Sequence, residues 1–255
     1  MVVRLECLVA GVGLQPSPVS ALIDCLASIV PRGKLDFVEL IATSSERCLD
    51  SAYLIKFDVE NRLDTRVNVH VLSGEDVKSF EDVAEFLKVS GRIIRYYVER
   101  GVDVYVSVSG GRKDSVSSLI FLGSLFGAKR AFHIITEGIS YLNELWFQVY
   151  QHLKGFHRFP QEEKQQKYNA YKDLINEVLH PSKEAVNLVE VPLLPVTNSF
   201  RKNLHITLKG ISSGEVSTES EEIISVLRKM GYVEFKEKTA FLTRLGKLLL
   251  DILEG

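Results

Sequence analysis

Short blocks rich in Val, Ile and Leu alternate with stretches of helical period through the first two-thirds of the chain. The blocks Arg4–Gly11, Asp36–Thr43, Arg66–Leu72, Val102–Ser109 and Arg130–Thr136 predict five strands. Between them the apolar spacing predicts helices at about Val19–Ile29, after the capping-type run Thr43-Ser44-Ser45-Glu46, at about Asp76–Arg100 and at about Asp114–Phe126. Gly101 stands where the third of these should stop. The strands are almost continuously apolar, so both faces of the sheet must be covered, and helices joining them imply parallel pairing. The expected fold is α/β, a Rossmann-like, doubly wound, mainly parallel sheet over residues 1–137.

The pattern then changes. From Ile139 to about Pro181 the chain is aromatic and amphipathic, with Tyr141, Leu145, Trp146 and Val149 followed by Tyr168, Tyr171, Ile175 and Val178. This predicts two helices packed on the sheet edge or on a partner, or a lid carrying His152, His157 and Arg158 to a ligand. Asn187–Val191 is a further strand, and Pro192, Pro195, Asn198 and Ser199 mark a linker, so residues 138–200 form a helical extension. Residues 201–255 form a small α+β tail. Leu204–Val216 is read as strand and Gly-Ser loop, Thr218–Lys229 as a helix capped by Ser217 or Thr218. Gly231–Phe235 with Thr239–Leu242 make a hairpin, and Arg244–Leu253 a closing helix. The tail resembles the end of a winged helix-turn-helix, truncated for want of a helix before Thr218.

Composition narrows the function classes. The chain is 45% hydrophobic and 25% charged with net charge −2, so nothing pulls it as a whole toward nucleic acid or an anionic surface. No uncharged apolar run approaches the ~18 residues that span a bilayer, and the N-terminus is too charged and short in its apolar run for a signal peptide. A soluble, cytoplasmic protein with no membrane partner is expected. Cys7, Cys25 and Cys48 are odd in number, widely spaced and set among apolar residues, which predicts buried reduced thiols rather than metal ligands. DNA binding by the tail is disfavoured. Its recognition helix would begin Thr218-Glu219-Ser220-Glu221-Glu222, and from Glu215 onward eight acids oppose six bases. Packing or dimerisation is the favoured role of this segment.

Candidate chemistry gathers in three loops. Gly11-Val12-Gly13-Leu14-Gln15-Pro16-Ser17-Pro18 follows the first strand, Thr43-Ser44 the second, and Ser109-Gly110-Gly111-Arg112-Lys113-Asp114 the fourth. A strand, a Gly-Gly turn and a helix start present free backbone N–H groups, which attract phosphate. Arg112 and Lys113 add a planar fork and a point charge. In a sheet of order 3-2-1-4-5, strands one and four flank the switch point where ligands bind, and the three loops converge there. A bare Gly-Gly after a strand is also a common plain turn. Neither the P-loop nor the dinucleotide fingerprint is present, since Gly-x-x-x-x-Gly-Lys is absent and Pro16 replaces the third glycine of the latter. The fourth-strand loop is also similar to the Ser-Gly-Gly-x-Asp-Ser loop of ATP pyrophosphatases, with one residue more and after a later strand.

Taken together, the first loop, Ile41-Ala42-Thr43-Ser44 and Ser107-Val108-Ser109-Gly110-Gly111-Arg112-Lys113 resemble the CARF domain, the CRISPR-associated Rossmann-fold sensor of cyclic oligoadenylates, over about Val2–Glu137. That resemblance implies a homodimer with a cyclic tetra-adenylate or similar ring on its two-fold axis. The implied ligand-binding residues are Gly11, Gly13, Leu14, Gln15, Pro16, Thr43, Ser44, Ser109, Gly110, Gly111, Arg112, Lys113 and Asp114. Relatives often carry Gly-Thr-Ser-Pro where this chain has Gly13-Leu14-Gln15-Pro16, so Gln15 and Ser17 join Lys113 as catalytic candidates. Some relatives only sense the ring, and others cut it. With no paired carboxylates or metal-ligand cluster in the loops, the expected route needs no metal or cofactor. The ribose 2′-OH attacks its own 3′-phosphate while Lys113 and backbone N–H groups hold the developing charge. A sensing transcriptional regulator without cleavage is the alternative. A ribonuclease effector would need an Arg-x-x-x-x-His pair in the tail, where the only histidine after Phe200 is His205.

Overall fold

A computed structural model describes residues 4–215, 221–237 and 239–255. The chain divides into two compact units, Met1–Leu193 and Leu194–Gly255.

In the first unit, β1 (Glu6–Val12), β2 (Phe37–Ala42), β3 (Arg66–Val71), β4 (Asp103–Ser107) and β5 (Arg130–Thr136) alternate with α1 (Ser17–Ile29), α2 (Glu46–Arg62), α3 (Phe80–Glu99) and α4 (Lys113–Phe126). Then come α5 (Ile139–Leu153), a single 3-10 turn at Phe156–Arg158, α6 (Gln161–Ala170), α7 (Lys172–Leu179) and β6 (Val186–Val191). The sheet order is β3-β2-β1-β4-β5-β6, parallel except that β6 runs antiparallel to β5. The expected Rossmann-like topology is met, with β1 and β4 adjacent at the switch point. All seven residues of β1 are buried. Leu8, Ala10 and Val12 pack with Leu22 and Leu26 of α1, Leu40 of β2 and Ile55 of α2 into one core. β6, an edge strand, is exposed at alternate positions and closes the sheet.

Several expected boundaries move for local reasons. The expected start of the third helix at Asp76 is corrected to Phe80, because Ser79 and Asp82 form a reciprocal capping box. That leaves Asp76–Lys78 as loop. The capping-type run before α2 is not a cap, since Ser45 occupies the N-cap position without a side-chain hydrogen bond. Cys7 and Cys48 are buried and free as expected, whereas Cys25 is half-buried.

The aromatic extension packs on α1 and α2 rather than the sheet edge. Trp146, Val149, Leu153, Phe156, Tyr168 and Ile175 close around Leu54 and Phe57 of α2. The lid reading is corrected with it. His157 Nδ1 lies 2.6 Å from the fully buried Asp50, His152 stacks on Tyr171, and Arg158 bonds Glu46. The side chains of His157 and Arg158 are bonded, and the ring of His152 stacked, within this layer.

His180, after α7, sits between Asp24 (2.7 Å) and Asp58 (3.1 Å). Burial alone would lower its pKa, but the two carboxylates outweigh that and push it up to about 9. A raised histidine stabilises the fold fully below its unfolded pKa of roughly 6.5, and that contribution is lost as pH rises through about 9. We expect on the order of 2 kcal/mol to disappear across this window, lowering the melting temperature by roughly 4–8 °C. His180→Gln should flatten the profile, and thermal melts at pH 6 to 10 check it. Equal pH dependence in both chains would contradict it.

In the second unit, α8 (Asn198–Ser213) and α9 (Glu221–Lys229) precede a hairpin, β7 (Val233–Lys236) and β8 (Thr239–Leu242), and α10 (Arg244–Glu254). The strand expected over Leu204–Val216 is corrected to helix α8. Thr197 caps it by accepting from the Phe200 N–H, Gly214 ends it at φ 79°, and Leu204, Thr207, Leu208 and Ile211 form its buried stripe. The β-branched pair Ile206-Thr207 masked a helical period that the cap completes. A helix therefore does precede α9, contrary to expectation. The expected caps Ser217 and Thr218, and Glu219, lie outside the described residues.

Candidate functional site

The loops after β1 and β4 meet backbone to backbone. A Cβ on Gly13 would stand 3.0 Å from the Gly111 nitrogen, and one on Gly110 would stand 3.0 Å from the Gly11 carbonyl and 2.9 Å from Val19 Cγ2. Gly110 and Gly111 also take φ of 83° and 70°, which other residues adopt at a cost. Glycine is required here twice over, for the turn and for the contact. The sequence reading placed a crevice between these loops. Instead they touch, and the open space divides into two clefts, one on each side of the glycine ridge.

The first cleft, of about 460 Å3, lies toward β2 and β3 and is lined by Gly11, Gly13, Leu14, Thr43, Gly111 and Arg112 among others. Arg112 is not a free cation, because its guanidinium bonds Asp76 in the loop that the capping box releases from α3. That guanidinium holds the Asp76 carboxyl below the usual carboxylate range. Glu75 and Lys78 share the wall. Cys48 also lines it, but burial pushes its thiol up, so it is a poor nucleophile.

The second cleft, of about 630 Å3, lies toward β5. Ser109, Gly110, Gly111 and Lys113 line it together with His133 and apolar residues of β5 and α4. Lys113 is the first residue of α4, exposed, and has no ion-pair partner among the described residues. The N-cap Arg112 makes no side-chain capping bond, so the first N–H groups of α4 are left for a ligand.

Hydrogen bonds around the candidate loops fix these walls in place. The Ser109 hydroxyl accepts from the Ile134 N–H at 2.5 Å, tying the loop to β5. Ser44 donates to the Ser73 carbonyl. The Pro16 carbonyl accepts from the Val19 and Ser20 N–H groups and from the Ser20 hydroxyl. Asp114 is exposed, 4.0 Å from Arg112. Gln15 and Ser17 line neither cleft; Ser17 is buried, and Gln15 Oε1 and Ser17 Oγ are sequestered without hydrogen-bond partners among the described residues. Leu14 is held by its carbonyl, which accepts from Ser51 (3.2 Å) and from Trp146 Nε1 (2.8 Å).

Two residues escaped the sequence reading. Arg47 lies in the first turn of α2, its guanidinium over the Tyr150 ring and its Nε buried without a hydrogen-bond partner among the described residues. A cation there opposes the helix dipole, and that was the available signal. His133 interrupts the apolar run of β5, a mark equally consistent with a satisfied core histidine. Among the described residues, no group of three or more His, Cys, Asp or Glu could hold a metal ion. No helix among them is long and apolar enough to cross a membrane.

Comparison with known proteins places the chain. A family model described as CRISPR-associated protein NE0113 matches residues 15–227. The chain belongs to this family. The CRISPR association expected from the loops is therefore met. No curated protein matches the sequence of this NE0113-family chain. Among solved structures, it is similar to Csm6 of Enterococcus italicus bound to cyclic hexa-2′-fluoro-hexa-dAMP, at TM-score 0.45 and 13% identity over 89% of this chain and 54% of that one. Can2 of Sulfobacillus thermosulfidooxidans in complex with cyclic tetra-adenylate matches at TM-score 0.36 and 8% identity, covering 97% and 63%. Protein VC1899 of Vibrio cholerae matches at TM-score 0.38 and 9% identity, covering 97% and 66%. The NE0113-family chain thus spans about half to two-thirds of these structures' lengths.

Proposed function

We propose that this NE0113-family chain binds a cyclic oligoadenylate as a homodimer and cleaves it, with cyclic tetra-adenylate the expected ring. The observation that carries the reading is the glycine ridge with the unpaired Lys113 and the uncapped start of α4 beside it. A ring laid over the ridge places a phosphate against Lys113 and the α4 N–H groups, with neighbouring nucleotides in the two clefts. Two copies related by a two-fold axis would present the same ridge to both halves of a symmetric ring. Cleavage would proceed as the loops imply: the 2′-oxygen bonds to phosphorus, the bond to the 5′-oxygen breaks, and a 2′,3′-cyclic phosphate and a 5′-hydroxyl result. Lys113 stabilises the charge that develops on the phosphorane oxygens. Arg112, already paired with Asp76, has the smaller role.

The test incubates the purified protein with labelled cyclic tetra-adenylate in EDTA and resolves the products. Linear di-adenylate ending in a cyclic phosphate is expected. Lys113→Ala should slow its formation by about 10²–10³-fold, and Arg112→Ala by much less. A ring bound but intact would make the protein a sensor. No binding by the wild-type chain would overturn the proposal, and ATP hydrolysis would be assayed next.

A further inference from the structure

We infer that His133 is the proton-transfer residue of the second cleft, serving the ring cleavage proposed above and resting on that reading. Three observations meet at this side chain. His133 lines the same cleft as Lys113, so a phosphate at Lys113 has an imidazole in its compartment. Its Nδ1 is already engaged, 3.1 Å from the Val108 carbonyl and 3.0 Å from Ser109 Oγ. The carbonyl can only accept, so Nδ1 carries the proton, and Nε2 is the nitrogen with a free lone pair. Finally, the orientation is rigid, because the same Ser109 hydroxyl accepts from the Ile134 N–H in the strand that carries His133. A ring nitrogen held as acceptor by a carbonyl on the opposite nitrogen is the arrangement a general base requires.

The surroundings leave the imidazole to the ligand. The cleft residues Val108, Ser109, Val116, Ser117 and Ile139 are uncharged, and so is Val189 across on β6. Lys113 is the one charged side chain beside the neutral imidazole among the residues lining the cleft. No carboxylate there competes for the proton or repels a phosphate. The chemistry balances without a co-reactant. Nε2 takes the proton of the 2′-OH as the 2′-oxygen bonds to phosphorus, and the same proton passes to the departing 5′-oxygen as its bond to phosphorus breaks. The imidazole ends neutral, and neither water nor metal is consumed.

The test compares the full chain with His133→Asn and His133→Gln, using cyclic tetra-adenylate in EDTA. Asn retains an N–H that can donate to the Val108 carbonyl but lacks the second nitrogen, so the loop should hold its place. Binding within about twofold of wild type is expected, with cleavage about 100-fold slower. The acid limb of the wild-type pH–rate profile should vanish in both variants. Cleavage within threefold of wild type with an unchanged profile overturns the inference, as does a loss of rate matched by a loss of binding. A wild-type chain that binds the ring but leaves it intact overturns the cleavage role while sparing the binding. A wild-type chain that binds no ring overturns the underlying reading itself.

Discussion

Gly110→Ala should destabilise the first unit by about 2–4 kcal/mol and abolish ring binding, a larger effect than truncating any side chain of the clefts. Two costs add. A left-handed φ of 83° strains an alanine by roughly 1–2 kcal/mol. The new methyl would also meet the Gly11 carbonyl at 3.0 Å and Val19 at 2.9 Å, forcing the two loops apart. Gly33 provides the control, since it has φ 68° with nothing within 4 Å of its missing Cβ. Gly33→Ala therefore carries strain without contact. Thermal melts and equilibrium binding of labelled ring separate the two. If Gly110→Ala melts like Gly33→Ala and still binds, the ridge does not organise the site.

The second large effect is expected at Asp50, on the helix that flanks the first cleft. Its carboxylate is fully buried and accepts from the Gly155 N–H (2.9 Å), the His157 N–H (3.0 Å) and His157 Nδ1 (2.6 Å). Asp50→Ala leaves all three donors without an acceptor in a place water does not reach. We expect a loss of about 3–5 kcal/mol in urea unfolding. The damage should spread to the site, because the same helix carries Ser51, which with Trp146 of α5 holds the Leu14 carbonyl. Faster hydrogen exchange over α5 and the 3-10 turn, with weaker ring binding, would accompany the loss. A change below 1 kcal/mol would show that the pin contributes little.

How much of this was legible depended on the range of the interaction. The central strands were readable because a strand buried on both faces is apolar along nearly all its length, as β1 is from Cys7 to Val12. The order 3-2-1-4-5 was supposed from the doubly wound class, and the sheet has it, with β6 added at the edge. α8 was misread because Ile206 and Thr207 carry strand propensity, while its evidence lay in a cap and a buried stripe from Leu204 to Ile211. The start of α3 was misplaced because Ser79 and Asp82 were not weighed as a capping pair. Of the loop residues, Gly13, Gly110 and Gly111 meet at the ridge, but Gln15 and Ser17 line neither cleft, because their side-chain oxygens are turned into the protein interior.

Local chemistry along the chain is thus enough to specify the alternating elements, the glycine turns and the cation at the start of α4, because each depends on neighbours a few residues apart. The pairing of Arg112 with Asp76, the closure of Gly13 on Gly111 and the division of one crevice into two clefts join segments separated by tens of residues. So does the placement of His133 beside Lys113. These relations exist only once the sheet brings β1, β4 and β5 side by side, because side-chain partners across a parallel sheet are set by register and crossover rather than by sequence distance.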